Sequence, residues 1–448
     1  MDWILSISTT IAIFIAAIFI LVTIHELGHF LAAKFFKMRV DRFAIGFPPN
    51  IFGFKKGDTE YVIGATPLGG YVKIAGMVDE TMDDDFMDKE PEPDEFRSKP
   101  VWQRMIVITA GVIFNAILAV IIYTGIAFSY GDTVIPIDSV NEIYVAEESL
   151  AEEIGFQTGD RVIGINGQKV EYWDQIFSPS SITGRDLSFM VERNGEDLNI
   201  PTPLNFLDRL GTEDFLTPSN ALPSRIEFVA EDSPAEQAGL QSGDEIISVD
   251  GQNIQYWEQL VQNIVNAGGE PLTLGIMRDG ETLEISVAPD EETNQIGIGA
   301  PNPFEYFDVQ TIDYNLAQSI GKGYTETEET FLGIVQGLGK MFSGDISVRQ
   351  NLGGPVAIAS VTREATENSG WLGFWTITAF LSVTLAIMNM LPIPALDGGH
   401  FMFLLYEGIT RREPSEKVRM GLQQLGFVFL LGLIILVTFN DILRTFGG

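Results

Sequence analysis

The sequence predicts a polytopic α-helical membrane protein with four transmembrane helices, a small membrane-associated β hairpin or sheet, and a duplicated α+β domain outside the membrane. Three observations lead to this fold class. Four uncharged apolar runs are each long enough to span a bilayer, although 20% of the 448 residues are charged. Basic residues cluster at one end of these runs, which indicates their orientation. The block between the second and third runs occurs twice, which indicates a duplicated domain.

Composition excludes several classes of function. The formal net charge is −34, so nucleic acid is not an expected partner. The chain contains no cysteine, which rules out disulfides and a cysteine nucleophile. The four apolar runs make the lipid bilayer the first expected partner, and any catalytic nucleophile or metal ligand has to be a residue other than cysteine.

The first transmembrane helix is predicted at residues 1–33, where Ile4 to Ile24 carry no charge. Asp2 stands where a cleaved signal peptide would have basic residues, so we expect the helix to be retained. By the positive-inside rule, the basic residues that follow place the end of this helix at the cytoplasm. These residues are Lys34, Lys37, Arg39 and Arg42.

The end of this helix carries His25-Glu26-Leu27-Gly28-His29. Histidines four residues apart lie on one helix face, and the glutamate after the first can accept a proton from water. This is the HExxH pattern of zinc metalloproteases, with two imidazole ligands for Zn²⁺ and a carboxylate base. The alternative is a pair of interfacial histidines that cap a membrane helix. Only three histidines occur in the chain, and this pattern uses two of them.

Residues 34–103 are predicted as a cytoplasmic, membrane-associated β region followed by an acidic loop. Short β-like runs with glycine breaks extend from Val40 to Met77, and the edge at Gly69 to Lys73 could add an extended substrate as another strand. A purely structural hairpin is the alternative. From Asp79 to Glu95 ten of seventeen residues are acidic, which is typical of a solvated loop.

The second transmembrane helix is predicted at residues 104–130, and it contains Gly111 and Asn115. Glycine permits close approach of two helices, and an asparagine within lipid needs an internal partner. We expect both residues to pack around the site, and a direct role in positioning is the alternative.

Residues 131–303 contain the duplication. The segment from Gly155 to Asp160 matches Gly239 to Asp244, an offset of 84 positions that is kept across the whole block. The second copy resembles PDZ domains of the kind associated with bacterial proteases, so PDZ-like domains are predicted at 131–220 and 221–303. Such a domain offers a groove to a peptide or a chain terminus. A pair of spacers that only excludes bulky substrates is the alternative.

An amphipathic helix with a connecting segment is predicted at 304–370, the third transmembrane helix at 371–400, a cytoplasmic loop at 401–421 and the fourth helix at 422–443. Pro392 and Pro394 break the third helix just before Asp397. An aspartate at membrane depth is a functional candidate by default. Both the first and the third helix run inward, so Asp397 and the two histidines reach the same cytoplasmic level.

Taken together, these motifs resemble the site-2 protease family of intramembrane zinc proteases, and in particular its bacterial type that regulates the sigma-E envelope stress response. The resemblance implies that His25, His29 and Asp397 bind zinc and that Glu26 is the general base. It implies that the hairpin engages substrate and that Asn389 helps to hold the unwound substrate strand. One departure is Val112, where the family often has proline. The hairpin residues concerned are Gly69, Gly70, Tyr71, Val72 and Lys73.

The expected function is therefore zinc-dependent cleavage of transmembrane segments in single-span membrane proteins, of which anti-sigma factors and remnant signal peptides are the implied examples. The expected location is the bacterial inner membrane, with the PDZ-like domains periplasmic and the active site near the cytoplasm. One rival is a membrane scaffold whose metal site is structural. A metal transporter is a second rival, but it would need further carboxylates within the membrane.

Overall fold

A computed structural model describes residues 2–77, 90–177, 181, 187–203, 206–210, 215–231, 233–290, 293–343 and 353–446. The chain divides into two compact units. One unit combines Met1–Gly131 with Asp313–Gly448, and the other is Asp132–Ile312. Most of the predicted acidic loop, residues 79–89, lies outside the described residues.

Four helices in the described part of the chain are long and apolar enough to cross a membrane: Thr9–Phe35, Val101–Tyr130, Pro355–Met390 and Val418–Asp441. The four predicted spans are thus confirmed by length and composition. In chain order the α-helices are α1 (Asp2–Phe35), α2 (Val101–Tyr130), α3 (Leu150–Ile154), α4 (Phe206–Leu210), α5 (Pro234–Ala238), α6 (Trp257–Asn266), α7 (Pro303–Tyr306), α8 (Leu316–Ser343), α9 (Pro355–Met390), α10 (Asp397–Thr410) and α11 (Glu416–Phe446).

Short 3₁₀ helices lie at Phe96–Ser98, Ile137–Ser139, Trp173–Phe177 and Pro218–Ala221. The strands are β1 (Val40–Lys56), β2 (Thr59–Ile74), β3 (Asp132–Val134), β4 (Arg161–Ile165), β5 (Gln168–Lys169), β6 (Ser188–Arg193), β7 (Glu196–Pro201), β8 (Phe228–Val229), β9 (Glu245–Val249), β10 (Gln252–Asn253), β11 (Leu272–Arg278), β12 (Glu281–Val287), β13 (Ile298–Gly299) and β14 (Gln310–Ile312).

Strands β1 and β2 form the predicted hairpin, which belongs to the unit that contains the four apolar helices. Residues 42–45 of β1 pair with both 60–63 and 70–73 of β2, so this part of β1 lies between the two halves of β2. Val40, Phe43 and Val72 belong to a buried cluster that also contains Val107 and Ile108 of α2. The hairpin is therefore fixed to the helices through an apolar core.

The third span begins earlier than the sequence indicated. Helix α9 starts at Pro355, and its only residue with non-helical dihedral angles is Gly370, at φ 59° and ψ −137°. Glycine adopts a positive φ without steric penalty, so the chain changes direction there. A Cβ on Gly373 would collide with the carbonyl oxygen of Ala365. The predicted connecting segment up to residue 370 is therefore helical from Pro355 onward.

The predicted loop at 401–421 is also shorter than expected. Helix α10 occupies its first part, and the turn between α10 and α11 spans only Arg411 to Ser415. The sequence predicts a break at Pro392 and Pro394, and the break lies there, between Met390 and Asp397. The chain then becomes helical again at Asp397, so Gly398 and Gly399 fall inside the first turn of α10.

The second unit contains two four-stranded sheets of the same topology, with strand orders β5-β4-β6-β7 and β10-β9-β11-β12. The repetition extends to side chains. Arg193 donates two hydrogen bonds to the buried Asp160 and one to the carbonyl of Gly155. In the second copy Arg278 makes the same three bonds, to Asp244 and to the carbonyl of Gly239. In each copy the adjacent carboxylate raises the pKa of the arginine.

The two copies differ where a helix flanks the sheet. The second copy has the ten-residue helix α6, whereas the first has a 3₁₀ helix at Trp173–Phe177. In the first copy Phe215 packs against Phe177 and Phe206, with ring centroids 6.0 and 5.1 Å away. The duplicated domains therefore share a sheet but not the surface beside it.

Candidate metal centre

His25 and His29 lie one turn apart on α1, as their spacing predicts. Their relative exposures are 7% and 8%, so both rings are buried. The two Nε2 atoms point toward each other and are 3.2 Å apart. The helix therefore presents two imidazole nitrogens to a single point inside the protein.

Asp397, the first residue of α10, completes this group. Its Oδ2 lies 3.1 Å from Nε2 of His25 and 3.4 Å from Nε2 of His29. In the described part of the chain these three residues form the one group of histidine and carboxylate side chains arranged to hold a metal ion. Residues from opposite ends of the chain thus meet at one point.

The donor atoms fit a zinc ion. Oδ2 of Asp397 is buried and close to both imidazoles, yet it makes no hydrogen bond within the described part of the chain. His29 donates a hydrogen bond from Nδ1 to the carbonyl oxygen of Val107 at 2.8 Å, so its Nε2 keeps a lone pair. Two histidines and one carboxylate form a ligand set found in catalytic zinc sites, where a fourth position stays open.

Glu26 lies beside this group and next to the hairpin. Its side chain is buried at 7% relative exposure. A Cβ added to Gly70 of β2 would lie 3.0 Å from Cγ of Glu26 and 2.9 Å from Cγ1 of Val22. The glycine therefore lets the hairpin backbone approach the glutamate and helix α1 directly.

The other predicted hairpin residues lie in different environments. Tyr71 and Val72 are buried, and the hydroxyl of Tyr71 accepts a hydrogen bond from Arg42 at 3.1 Å. Gly69 lies against the ring of Phe47. Lys73 pairs with Arg42 across the strands. The side chains of Tyr71 and Val72 are thus part of the hairpin core and are not exposed to a ligand.

Helix α2 forms one wall of the site through Gly111 and Asn115. A Cβ on Gly111 would overlap Nε2 of His29 and would lie 2.6 Å from Cε1 of His25. Asn115 is fully buried, with its Nδ2 3.3 Å from Nδ1 of His25. On the opposite helix, a Cβ on Gly28 would lie 2.5 Å from the carbonyl oxygen of Ala110. The two helices are therefore in backbone contact beside the histidines.

Asn389 lies at the end of α9, and Pro392 and Pro394 lie in the break between α9 and Asp397. Nδ2 of Asn389 is 3.2 Å from Nε2 of His25. Gly426 of α11 packs directly on the carbonyl of Pro394, where a Cβ would collide. The third histidine, His400, is not part of the group; its Nε2 is 3.0 Å from Nε2 of Gln423. The break thus holds Asn389 at the site and places Asp397 at the start of a new helix.

Two contacts near the site are not predicted from the sequence. Ser382 donates a hydrogen bond to the backbone oxygen of Asn115 at 2.8 Å, and a small polar residue in an apolar span could have indicated it. The carbonyl of Val107 that orients His29 has no side-chain signal in the sequence. Backbone partners of this kind become visible only when the helices are packed.

Comparison with known proteins gives consistent matches. The model of "Peptidase family M50" matches residues 13–433. "Protease RseP" of Yersinia pestis is 31% identical over 98% of this chain and 100% of its own length. "Regulator of sigma-E protease RseP" of Salmonella typhimurium (strain 14028s / SGSC 2262) is 32% identical over the same shares. A Vibrio cholerae relative whose name includes the words "zinc metalloprotease" is 30% identical over 96% of this chain and 98% of its own length.

Proposed function

The chain belongs to peptidase family M50, and from this premise we propose that it cleaves transmembrane segments of single-span membrane proteins at a zinc centre held by His25, His29 and Asp397. The protein is a membrane metalloprotease, as the HExxH pattern predicted. The convergence of the three ligand atoms is the observation that carries the proposal. A scaffold with a structural metal site is disfavoured, because structural zinc sites usually have four protein ligands.

Bound zinc would supply a Lewis acid that lowers the pKa of water toward about 7 and polarises the scissile carbonyl. In this proposal Glu26 accepts the proton of the attacking water and delivers it to the leaving amine. Its position directly after His25, buried beside the hairpin, supports this role. Burial of the Glu26 side chain lowers the local dielectric constant, which strengthens the electrostatic interactions of the carboxylate.

We propose that backbone groups of the hairpin and a side-chain amide position the substrate. A transmembrane helix hides its carbonyls in its own hydrogen bonds, so it has to unwind before it can be attacked. Residues 70–73 pair with β1 on one side, and no further strand pairs with them in the described part of the chain. We propose that the backbone of Gly69 and Gly70 receives the unwound strand beside Glu26. Asn389, next to His25, would donate a hydrogen bond to a freed carbonyl.

The relatives' names supply the biological setting. Two of them are named for sigma E or as RseP. We therefore propose that anti-sigma factors with a single span are substrates and that remnant signal peptides are a second class. The positive-inside rule places Lys34 and Arg39 in the cytoplasm, which puts the active site near that side of the inner membrane and the duplicated domains in the periplasm.

Removal of zinc is expected to abolish cleavage, and this experiment tests the proposed function. The purified full-length protein in vesicles is incubated with a single-span protein that has a short periplasmic tail. Treatment with 1,10-phenanthroline should reduce cleavage to background, and added zinc should restore it. The non-chelating 1,7 isomer serves as the control. Mass spectrometry should locate the cut inside the span; cleavage that resists chelation, or cuts confined to the tail, would contradict the proposal.

The duplicated domains leave a choice between peptide binding and steric exclusion. In the second copy, α6 and residues 293–300 line an open cavity of about 340 Å³. Trp257 and Ile264 of α6 line it together with Ile298 of β13. The flank of an edge strand and a helix is where PDZ domains bind a chain terminus. We propose that the second copy is the one that binds an apolar C-terminal peptide.

Replacement of Val265, which lines this cavity, by arginine is expected to weaken peptide binding at least tenfold, or about 1.4 kcal/mol. The reason is that Val265 is half exposed at the edge of this cavity, so a bound apolar peptide would have to cover the new charge. Fluorescence anisotropy with a labelled hexapeptide that ends in leucine measures the affinity. Leu283→Arg, an exposed apolar position of β12 outside the groove, is the matched control. Failure of the wild-type protein to bind the peptide would contradict the proposed peptide binding and favour the steric filter.

A further inference from the structure

Asn115 contacts a metal-ligand histidine on the side away from the metal. Its Nδ2 is 3.3 Å from Nδ1 of His25, and its Oδ1 is buried without a hydrogen-bond partner in the described part of the chain. The side chain is wholly enclosed, and Ser382 fixes its backbone oxygen. This amide therefore lies in a closed space beside the imidazole of His25.

The two orientations of this amide have opposite consequences for His25. If the NH₂ group faces Nδ1, then Nδ1 accepts and the ring proton lies on Nε2. That nitrogen would then point its proton at His29 and Asp397 and could not bind a cation. If Oδ1 faces Nδ1, the ring proton lies on Nδ1 and Nε2 keeps its lone pair. A half-turn of the amide exchanges the two states without moving any other heavy atom.

His29 shows which state a metal ligand requires. Its Nδ1 donates to the carbonyl of Val107, which can only accept, so its Nε2 is available. Val107 and Asn115 both belong to α2, and each contacts one of the two imidazoles of α1. Metal-binding histidines generally donate their second N–H to a carbonyl or carboxylate, which fixes the tautomer. Helix α2 therefore places an oxygen-bearing group beside each ring, a backbone carbonyl at His29 and a side-chain amide at His25.

We infer that Asn115 is a positioning residue: its Oδ1 accepts the Nδ1–H of His25 and so holds the tautomer whose Nε2 binds the metal. This inference rests on the proposed metal centre. Asn115 does not contact the substrate or the reacting water. It acts through His25, and the chemical requirement is an oxygen acceptor at this position and not a polar side chain in general.

The test compares two variants of the full-length protein in detergent, Asn115→Leu and Asn115→Asp. Leucine has a similar volume but no acceptor, and aspartate keeps the acceptor oxygens. Zinc affinity is measured by competition with a chelator. Asn115→Leu is expected to bind zinc tenfold to a hundredfold more weakly, the usual effect of losing such a partner. Asn115→Asp is expected to bind zinc at least as tightly as the wild type, which a merely structural role would not produce.

Thr378→Val is the control for the loss of a buried polar group, since Thr378 is fully buried in α9 and its hydroxyl donates a hydrogen bond to the carbonyl of Phe374 in the same helix. It should keep wild-type zinc affinity. Wild-type affinity in Asn115→Leu, or equal weakening in Asn115→Asp, would overturn the inference alone. A wild-type protein that binds no zinc would overturn the metal centre as well, so the two failures are distinguishable.

Discussion

Replacement of Glu26 by glutamine is expected to abolish proteolysis while zinc stays bound. Glutamine has the same shape but cannot accept the proton of the attacking water, and acid–base catalysis typically contributes a factor of 10² to 10⁴. The three proposed ligands are untouched, so the metal content should equal that of the wild type. Cleavage of the single-span test protein gives the rate, and elemental analysis of the purified protein gives the zinc content.

Glu95→Gln is the matched control, because Glu95 is also a buried carboxylate at 5% relative exposure but bonds to Arg97 at 2.6 Å. It should cleave at a rate close to that of the wild type. A Glu26→Gln protein that cleaves normally would refute the role of Glu26. If that variant loses zinc as well as activity, the glutamate supports the metal site and its role as a base is not demonstrated.

The second large effect is expected for Gly111→Ala. The new methyl group would overlap Nε2 of His29 and crowd His25. Separation of the helices would disrupt the close backbone contact between Gly28 and Ala110 at the same interface. The imidazoles therefore have to move, and we expect zinc affinity to fall at least a hundredfold, with loss of cleavage. Chelator competition and the cleavage assay measure the two effects.

Gly125→Ala tests whether any alanine in α2 has this effect. Gly125 lies on the same helix with nothing within 4 Å of an added Cβ. Alanine also favours a helix over glycine by about 1 kcal/mol, so this variant should be active and no less stable than the wild type. Equal zinc affinity in Gly111→Ala and Gly125→Ala would show that the space between the histidines and α2 is not critical.

Much of the site could be predicted because its chemistry is local. His25, Glu26 and His29 lie within two turns of one helix, where spacing alone fixes the face. Asp397 was predicted from a different argument, since a charged residue at membrane depth needs a functional reason. The predicted bounds of the third span and of the loop after it were less accurate, because prolines and glycines indicate that a helix breaks but not at which residue it resumes.

In the hairpin, the sequence pattern predicts the strands but not which side chains point into the core. The run Gly69 to Lys73 could be identified as a strand, and its edge as a candidate for substrate. Which side chains point inward depends on how β1 is inserted between the halves of β2, and this register buries Tyr71 and Val72. Gly70 is placed against Glu26, because its missing side chain allows the contact.

The class of protein follows from the sequence, because the four apolar runs, the HExxH pair and the repeated block are each recognised from the order of residues along the chain. The groups that surround the two imidazoles depend on how the helices pack in three dimensions. Asp397, the carbonyl of Val107, the amide of Asn115 and the bare Cα of Gly111 come from two other helices. Their positions depend on how closely helices pack, and packing is a property of residue pairs far apart in sequence that local periodicity does not record.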